Sequence, residues 1–384
     1  MSNKKPVILA VSFGTSYNES RDLTIGAVEK ALGEAFLGWE VRRAFTSQII
    51  IDILAEREGL KIDNVTQAMA RLVLDGVKEV IVQPTHVVPG MEYDEVIAET
   101  ALYAGKFDFF RVGAPLLTVD ADYENLIAVL AEETKEYNRA DTALVFMGHG
   151  TEHAANGVYV KLQEKLNDAG YGNFFIGTVE ATPDLNDVLA MVRKSDAERV
   201  VLLPLMIVAG DHANNDMAGD EEDSWKTAFE SAGYRVECVL KGMGQYPGVR
   251  KMIVDHCREA LEAPERVEAA QLREGTYEIG VKSSANMFKV AGCALTVEKG
   301  EMYAVMTMSG NGYGKLFLGT AGEAENASER DCIPAVPDGE GRVTFRVPVK
   351  ALNEKIPCAA WSVRREKWYD RTLVFQSGNI QLLR

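Results

Sequence analysis

The sequence predicts two similar α/β lobes, each built on a parallel sheet, followed by a C-terminal all-β sandwich. Three observations carry this. Up to about Leu261, short β-rich apolar runs alternate with segments whose apolar residues recur at helical spacing. Within that region two stretches of sequence occur twice. After Leu261 the helical segments stop, and alternating patterns separated by Gly, Asn, Asp and Pro clusters take over.

The strand candidates are Val7–Phe13, Glu40–Phe45, Glu79–Gln83, Phe109–Val112, Ala143–Met147, Asn173–Val179, Arg199–Pro204 and Arg235–Leu240. Between them lie amphipathic segments such as Arg21–Phe36, Val65–Asp75, Tyr93–Tyr103, Asp122–Tyr137 and Leu185–Lys194. Strand and helix in regular alternation mean a parallel sheet covered on both faces. The duplication pairs Val11-Ser12-Phe13-Gly14-Thr15 with Met147-Gly148-His149-Gly150-Thr151, and Val82–Glu92 with Leu202–His212. In the second pair Pro84 and Gly90 recur as Pro204 and Gly210 at an offset of 120, and Glu92 occupies the slot of His212. The reading is therefore an N-terminal lobe over 1–120 and a second lobe over 121–263, the one that carries His149 and His212. A charged linker over 264–273 and a β-sandwich over 274–384 follow, with strands expected near Gly275–Val281, Cys293–Val297, Met302–Met308, Lys315–Leu318, Arg342–Val347, Ala359–Val363 and Thr372–Phe375. Ligands of such sheets sit beyond the carboxyl ends of the strands, here in a cleft between the lobes.

At 384 residues the chain has room for two or three domains of roughly 150 residues each. Its 47% hydrophobic and 26% charged residues are those of a globular protein. Lys and Arg number 41 against 57 Asp and Glu, a formal charge of −16. That balance argues against a nucleic-acid partner, which requires a basic face. No apolar run approaches the ~20 residues of a membrane helix. Val7 to Val11 is too short for a secretion leader, and no small-residue cleavage site follows. The five cysteines, Cys238, Cys257, Cys293, Cys332 and Cys358, are odd in number and form no C-x-x-C, which supports neither a disulfide framework nor a zinc knuckle. A cytoplasmic protein is expected, and a homo-oligomer is left open.

Five histidines bear on the chemistry. His149 and His212 each follow a predicted strand in a Gly-rich turn, which projects the ring from the sheet edge. Glu180 ends a neighbouring strand, so the three can converge as a His-His-Glu site, a mixed N/O set suited to Fe, Co, Ni, Cu or Zn. His153 could share a helical face with His149, although a surface position fits it as well. His86 precedes Glu92 in one loop and suits structural support, and His256 on an amphipathic segment reads as a surface residue. The acidic run Asp216, Asp220, Glu221, Glu222 and Asp223 either concentrates cations by its field or is a solvated loop. The chain has no G-x-x-x-x-G-K-[ST] phosphate loop, so ATP or another nucleotide is not expected. Nor is there a G-x-G-x-x-G after the first strand or a G-x-S-x-G elbow.

These residues are similar to those of the anaerobic sirohydrochlorin cobaltochelatase family, the CbiK-type class II chelatases. The shared stretches are Val11–Tyr17, Arg43–Ser47, Gly90–Tyr93, Phe146–Gly150, Gly177–Glu180, Pro204–Ala218 and Asp223–Lys226, in family order over about residues 5–262. The resemblance implies a chelatase-like fold and ATP-independent insertion of Co2+ into the tetrapyrrole sirohydrochlorin during cobalamin biosynthesis. It implies that His149 and His212 bind the metal, that Glu180 completes the site, and that His149 and Glu92 serve catalysis. Phe13, Gly14, Thr15 and Glu92 are expected to line the macrocycle site. Where the family has Ala-Val-Glu this chain has Thr178-Val179-Glu180, which keeps the carboxylate. An iron or nickel chelatase, or a non-catalytic carrier of heme or another tetrapyrrole, stays open on the same residues. The C-terminal domain has the size of a NEAT-type heme-binding sandwich. Ser283–Phe288 with Trp361, Trp368 and Tyr369 resembles its lip motif and paired-aromatic strand; ordinary core aromatics give the same pattern, and both readings stand.

Overall fold

The computed structural model describes residues 4–285, 287–378 and 380, and the chain divides into two compact units, Met1–Glu262 and Ala263–Arg384. In the first unit, β1 (Val7–Ser12), β2 (Glu40–Phe45), β3 (Glu79–Pro84) and β4 (Phe109–Val112) form a parallel sheet in the order β2-β1-β3-β4. The pattern repeats in β5 (Thr142–Gly148), β6 (Phe174–Thr178), β7 (Arg199–Pro204) and β8 (Arg235–Cys238), ordered β6-β5-β7-β8. The repeated motifs of the sequence thus fall on matching strands, β1 with β5 and β3 with β7. Each sheet reverses its winding direction between those two strands, which opens a crevice at their carboxyl ends.

Both faces of each sheet are buried. Ile8 and Ala10 of β1 face a core that also contains Leu144 and Phe146 of β5, whereas Val7, Leu9 and Val11 face the outer helices. Ala143, Val145 and Met147 do the same for the second sheet. The helix Gln48–Glu58 was hidden by the unbroken run Ile49-Ile50-Ile51, of which only Ile51 is buried. The last helix of this unit, Pro247–Glu262, packs against the helix Ala27–Ala35 and against β3 and β4, and so covers the first lobe. No helix among the described residues is long and apolar enough to cross a membrane.

That last helix corrects one expectation. His256 is a buried residue, 7% exposed, because its Nε2 meets Asp122 Oδ1 at 3.1 Å on the helix Asp120–Glu133. Asp122 Oδ2 also accepts from the backbone N–H groups of Thr118 and Val119, both at 2.8 Å. Burial alone would raise the Asp122 carboxyl, but hydrogen bonds from His256, Val119 and Thr118 bring it below its ordinary value. Asp122→Ala is expected to cost about 2 kcal/mol of unfolding free energy. The gap from wild type should be full above about pH 4 and close as pH falls through the lowered native value, because only the ionised carboxylate holds these bonds. Chemical denaturation of both proteins between pH 3 and 7 measures it.

The second unit is a sandwich of two five-stranded antiparallel sheets. One is built on Val290–Glu298, Glu301–Met308 and Val343–Pro348, the other on Lys367–Gln376, Lys355–Ser362 and Tyr313–Phe317. Leu295, Ala304, Met306 and Phe345 meet Leu316, Cys358, Leu373 and Phe375 between them. The segment 264–273 is not a free linker. Val267–Glu268 pairs antiparallel with Ala351–Leu352, and Val267 and Leu272 enter this core. The charges of 262–273 masked those two apolar anchors. A short helix, Ala321–Asn326, also interrupts the expected all-β pattern and covers Ala359 and Trp368. Trp361 and Trp368 stand opposite each other in register with ring centroids 5.4 Å apart. Phe288 and Trp368 are buried and pack within the domain, while Asn286 of the same stretch lies outside the described residues.

Candidate active site

The carboxyl ends of β1, β3, β5, β6 and β7 surround a cleft of about 420 Å3. The turn after the first strand of each lobe meets the loop after the third strand of the other. A Cβ on Gly210 would lie 3.3 Å from Thr15 Oγ1, and one on Gly90 would lie 3.8 Å from Thr151 Cγ2. Apolar side chains, among them Val87, Val88, Met91, Leu205 and Ile207, form much of the wall.

Into this cleft the second sheet projects three potential ligands from neighbouring strands. His149 follows β5 directly, Glu180 lies two residues beyond β6, and His212 lies in the first helical turn after the β7 loop, leading into Ala213–Met217. Their ligand-bearing atoms all fall within 4.8 Å of one another. Tetrahedral donors on one ion at metal–ligand distances of about 2.1 Å stand about 3.4 Å apart, so side-chain rotations that draw the three together by an ångström or so would close the set on a cation. The two imidazoles stand edge to face, with centroids 4.8 Å apart and planes at 88°.

Local structure fixes each group. Gly150 has φ +87°, and a Cβ there would meet the backbone nitrogen of Ala181 at 2.8 Å. Glycine therefore lets the His149 turn lie directly on the turn that carries Glu180. The Glu180 N–H donates to the His149 carbonyl at 2.9 Å, and the Val179 N–H to that of Gly148 at 3.0 Å. Thr178, where the family resemblance expects Ala, donates its hydroxyl to the Ala181 carbonyl at 2.7 Å and braces the same turn. His149 Nδ1 lies 2.9 Å from the Gly150 carbonyl and 3.5 Å from Glu180 Oε2. His212 Nδ1 lies 2.7 Å from Asp216 Oδ2. Both contacts select the tautomer with Nδ1–H, leaving Nε2 lone pairs for a metal.

The first lobe supplies the opposing wall. Phe13, 43% exposed, faces His149 with ring centroids 6.5 Å apart, and Gly14 and Thr15 line the cleft beside it. Glu92 sits in the first turn of the helix Met91–Ala101 and also lines the cleft. Burial raises its pKa, the charge of His149 works against that, and Glu95 and Glu180 add to it. The carboxylate is a stronger base than an ordinary glutamate.

His153 stays outside the cluster. The segment after Gly150 is not a continuous helix, and its Nε2 lies 3.5 Å from Asp94 while its Nδ1 accepts from the Ala155 N–H. Asp216 had been counted only within an acidic run; its place four residues after His212 was the signal of a partner. Asp220 of the same run pairs with Lys226.

The cobalt chelatase (CbiK) family model matches residues 6–262. The chain belongs to the cobalt chelatase family. A sirohydrochlorin cobaltochelatase of Salmonella typhimurium is 37% identical over 257 residues, covering 67% of this chain and 97% of that protein. A second relative, the sirohydrochlorin cobaltochelatase CbiKC of Nitratidesulfovibrio vulgaris, is 34% identical over 262 residues, covering 68% and 92%. Among solved structures, SirB from Bacillus subtilis with Fe3+ shares the fold at a TM-score of 0.50 and 14% identity, covering 67% of this chain and 96% of that one. The family match ends where the second compact unit begins.

Proposed function

We propose that this family member inserts Co2+ into sirohydrochlorin, with His149, His212 and Glu180 holding the incoming cation and Glu92 accepting protons from the macrocycle. The observation that carries the reading is the convergence of two imidazoles and a carboxylate on one apolar cleft, in a chain 37% identical to a protein of that activity.

Insertion exchanges one Co2+ for two pyrrole protons, so the site must hold a cation and then take up protons. The neutral Nε2 atoms of His149 and His212 serve the first need. As the macrocycle nitrogens replace the protein ligands, the freed His149 lone pair becomes a base for one proton, and Glu92 on the opposite wall takes the other. Phe13 offers an exposed ring to one face of the flat substrate, and the apolar wall excludes water from the exchanging metal. The exchange is driven by the metal–nitrogen bonds formed and needs no nucleotide. Fe2+ and Ni2+ suit the same N/O set, and the names of the relatives favour cobalt. The five cysteines are free thiols, in keeping with cytoplasmic work.

The deciding experiment follows the absorbance of sirohydrochlorin with Co2+ under anaerobic conditions. Formation of the cobalt complex well above the protein-free rate is expected. A bound-macrocycle spectrum with no faster insertion would overturn the reading in favour of a carrier. Asp216→Ala is expected to weaken Co2+ binding by about 10–100-fold, because His212 loses the carboxylate that fixes its tautomer. Titration of the metal-free protein with Co2+ measures this, and Asp216→Asn, which can still accept a hydrogen bond, should retain more affinity.

A further inference from the structure

His86 faces the same cleft from the loop after β3, and none of the roles above uses it. Its side chain is 7% exposed, and neither ring nitrogen has a hydrogen-bond partner among the described residues. Its carbonyl is engaged, accepting from the Leu116 N–H at 2.8 Å, so the loop is anchored while the ring is left unsatisfied. Burial pushes its pKa down to about 4. Near neutral pH the ring therefore carries one N–H and one lone pair. A buried imidazole without partners is costly to keep unless something engages it in the working state.

Glu92 is the group within reach. His86 Nε2 lies 3.6 Å from Glu92 Oε2, a few tenths of an ångström beyond a hydrogen bond. The Glu92 side chain is 42% exposed, and the like charges of Glu95 and Glu180 bear on it. Left alone, such a carboxylate would swing toward water.

We propose that His86 is a positioning residue for Glu92: its Nε2–H donates to Glu92 Oε2 when the macrocycle fills the cleft and keeps the other carboxylate oxygen on the pyrrole nitrogens. The inference rests on the reading of Glu92 as the proton acceptor. His86 does not touch the substrate's reacting atoms and does not titrate during turnover. It acts through geometry, in the way a base is held by a third group in hydrolytic sites.

A double-mutant cycle on cobalt insertion, at saturating Co2+ and sirohydrochlorin, tests it. His86→Leu is expected to lower kcat about tenfold with KM for the tetrapyrrole within about twofold. His86→Gln, whose amide N–H reaches the place of Nε2, should recover to within about threefold of wild type. In a Glu92→Ala background, His86→Leu should change the residual rate by less than about 1.5-fold, since the pair acts as a unit. Losses that multiply, or a Gln variant no better than Leu, would overturn the proposal. A second readout needs no turnover. The chain has five histidines, and 15N NMR with metal-free sirohydrochlorin bound should show His86 as the Nε2–H tautomer in wild type and as a tautomer mixture in Glu92→Ala. The same His86 signal in both proteins would overturn the inference. Should the wild type insert no cobalt, the functional reading fails, and the NMR comparison still decides the His86–Glu92 contact.

Discussion

His149→Ala is expected to lower the rate of cobalt insertion by about 10²-fold or more while leaving the protein folded. The size of the expected effect follows from the two tasks the proposed mechanism gives His149 in succession. It is one of two imidazoles in the cluster, so its loss leaves His212 and Glu180 to hold the cation. In the proposed mechanism it is also the base that takes up a pyrrole proton once the metal departs, a task that would otherwise fall to the remaining cluster residues His212 and Glu180. The side chain is 37% exposed at the end of β5, so removing it opens little core and should cost little stability. Anaerobic rates at rising Co2+ separate the tasks. Saturating metal should recover part of the loss through the binding role and leave the proton-acceptor deficit in kcat. A variant within twofold of wild type at all metal concentrations would remove His149 from the account.

Gly150→Ala is the second large effect, and it adds a single methyl group. At φ +87° an L side chain costs about 1–2 kcal/mol. The new Cβ would also stand 2.8 Å from the Ala181 backbone nitrogen and 2.9 Å from Thr178 Cβ. Backbone cannot step aside as a flexible side chain can, so the turn carrying Glu180 must move. That strains the Glu180 N–H bond to the His149 carbonyl and shifts the Gly150 carbonyl facing His149 Nδ1. Co2+ affinity and insertion rate are both expected to fall by about tenfold or more, since two of three ligands lose their support. Gly172→Ala, with no atom of the described residues within 4 Å of the new methyl, is the control and should stay within about twofold on both measures. Calorimetric Co2+ titration beside the absorbance assay reads the pair. Equal affinities for Gly150→Ala and wild type would show that the ligand turn tolerates the displacement.

The fold was readable where local pattern and tertiary role coincide. A central strand such as Arg199–Pro204 announces itself as an apolar run because a parallel sheet is buried on both faces there, whereas the edge strands Glu40–Phe45 and Phe109–Val112 are only partly buried and are placed by the alternation of strand and helix. The convergence of His149, Glu180 and His212 was readable for a related reason. Residues just past the ends of adjacent parallel strands, such as His149 and Glu180, must emerge side by side; the order β6-β5-β7 makes those strands neighbours, and the loop after β7 brings His212 to the same end of the sheet. What escaped depends on distant partners. His256 looks like a surface residue until Asp122, 134 positions away, is brought against it. The charged segment after Leu261 carries only Val267 and Leu272 as buried anchors, Val267 pairing with a strand some 80 residues on and Leu272 entering the same core, too few apolar positions to form a pattern. The isolation of the His86 ring is likewise a property of the assembled cleft, which no local spacing encodes.

The central claim, that the His149–Glu180–His212 cluster is the donor of cobalt, is tested most directly by a single turnover. Protein carrying one equivalent of Co2+ is mixed anaerobically with sirohydrochlorin and an excess of a strong, slow-entering chelator. The account predicts that cobalt appears in the macrocycle at the steady-state rate, unaffected by the chelator, and that His149→Ala passes its metal to the chelator instead. Capture of all the cobalt by the chelator in the wild-type reaction would mean that the metal enters from solution, and would contradict the account.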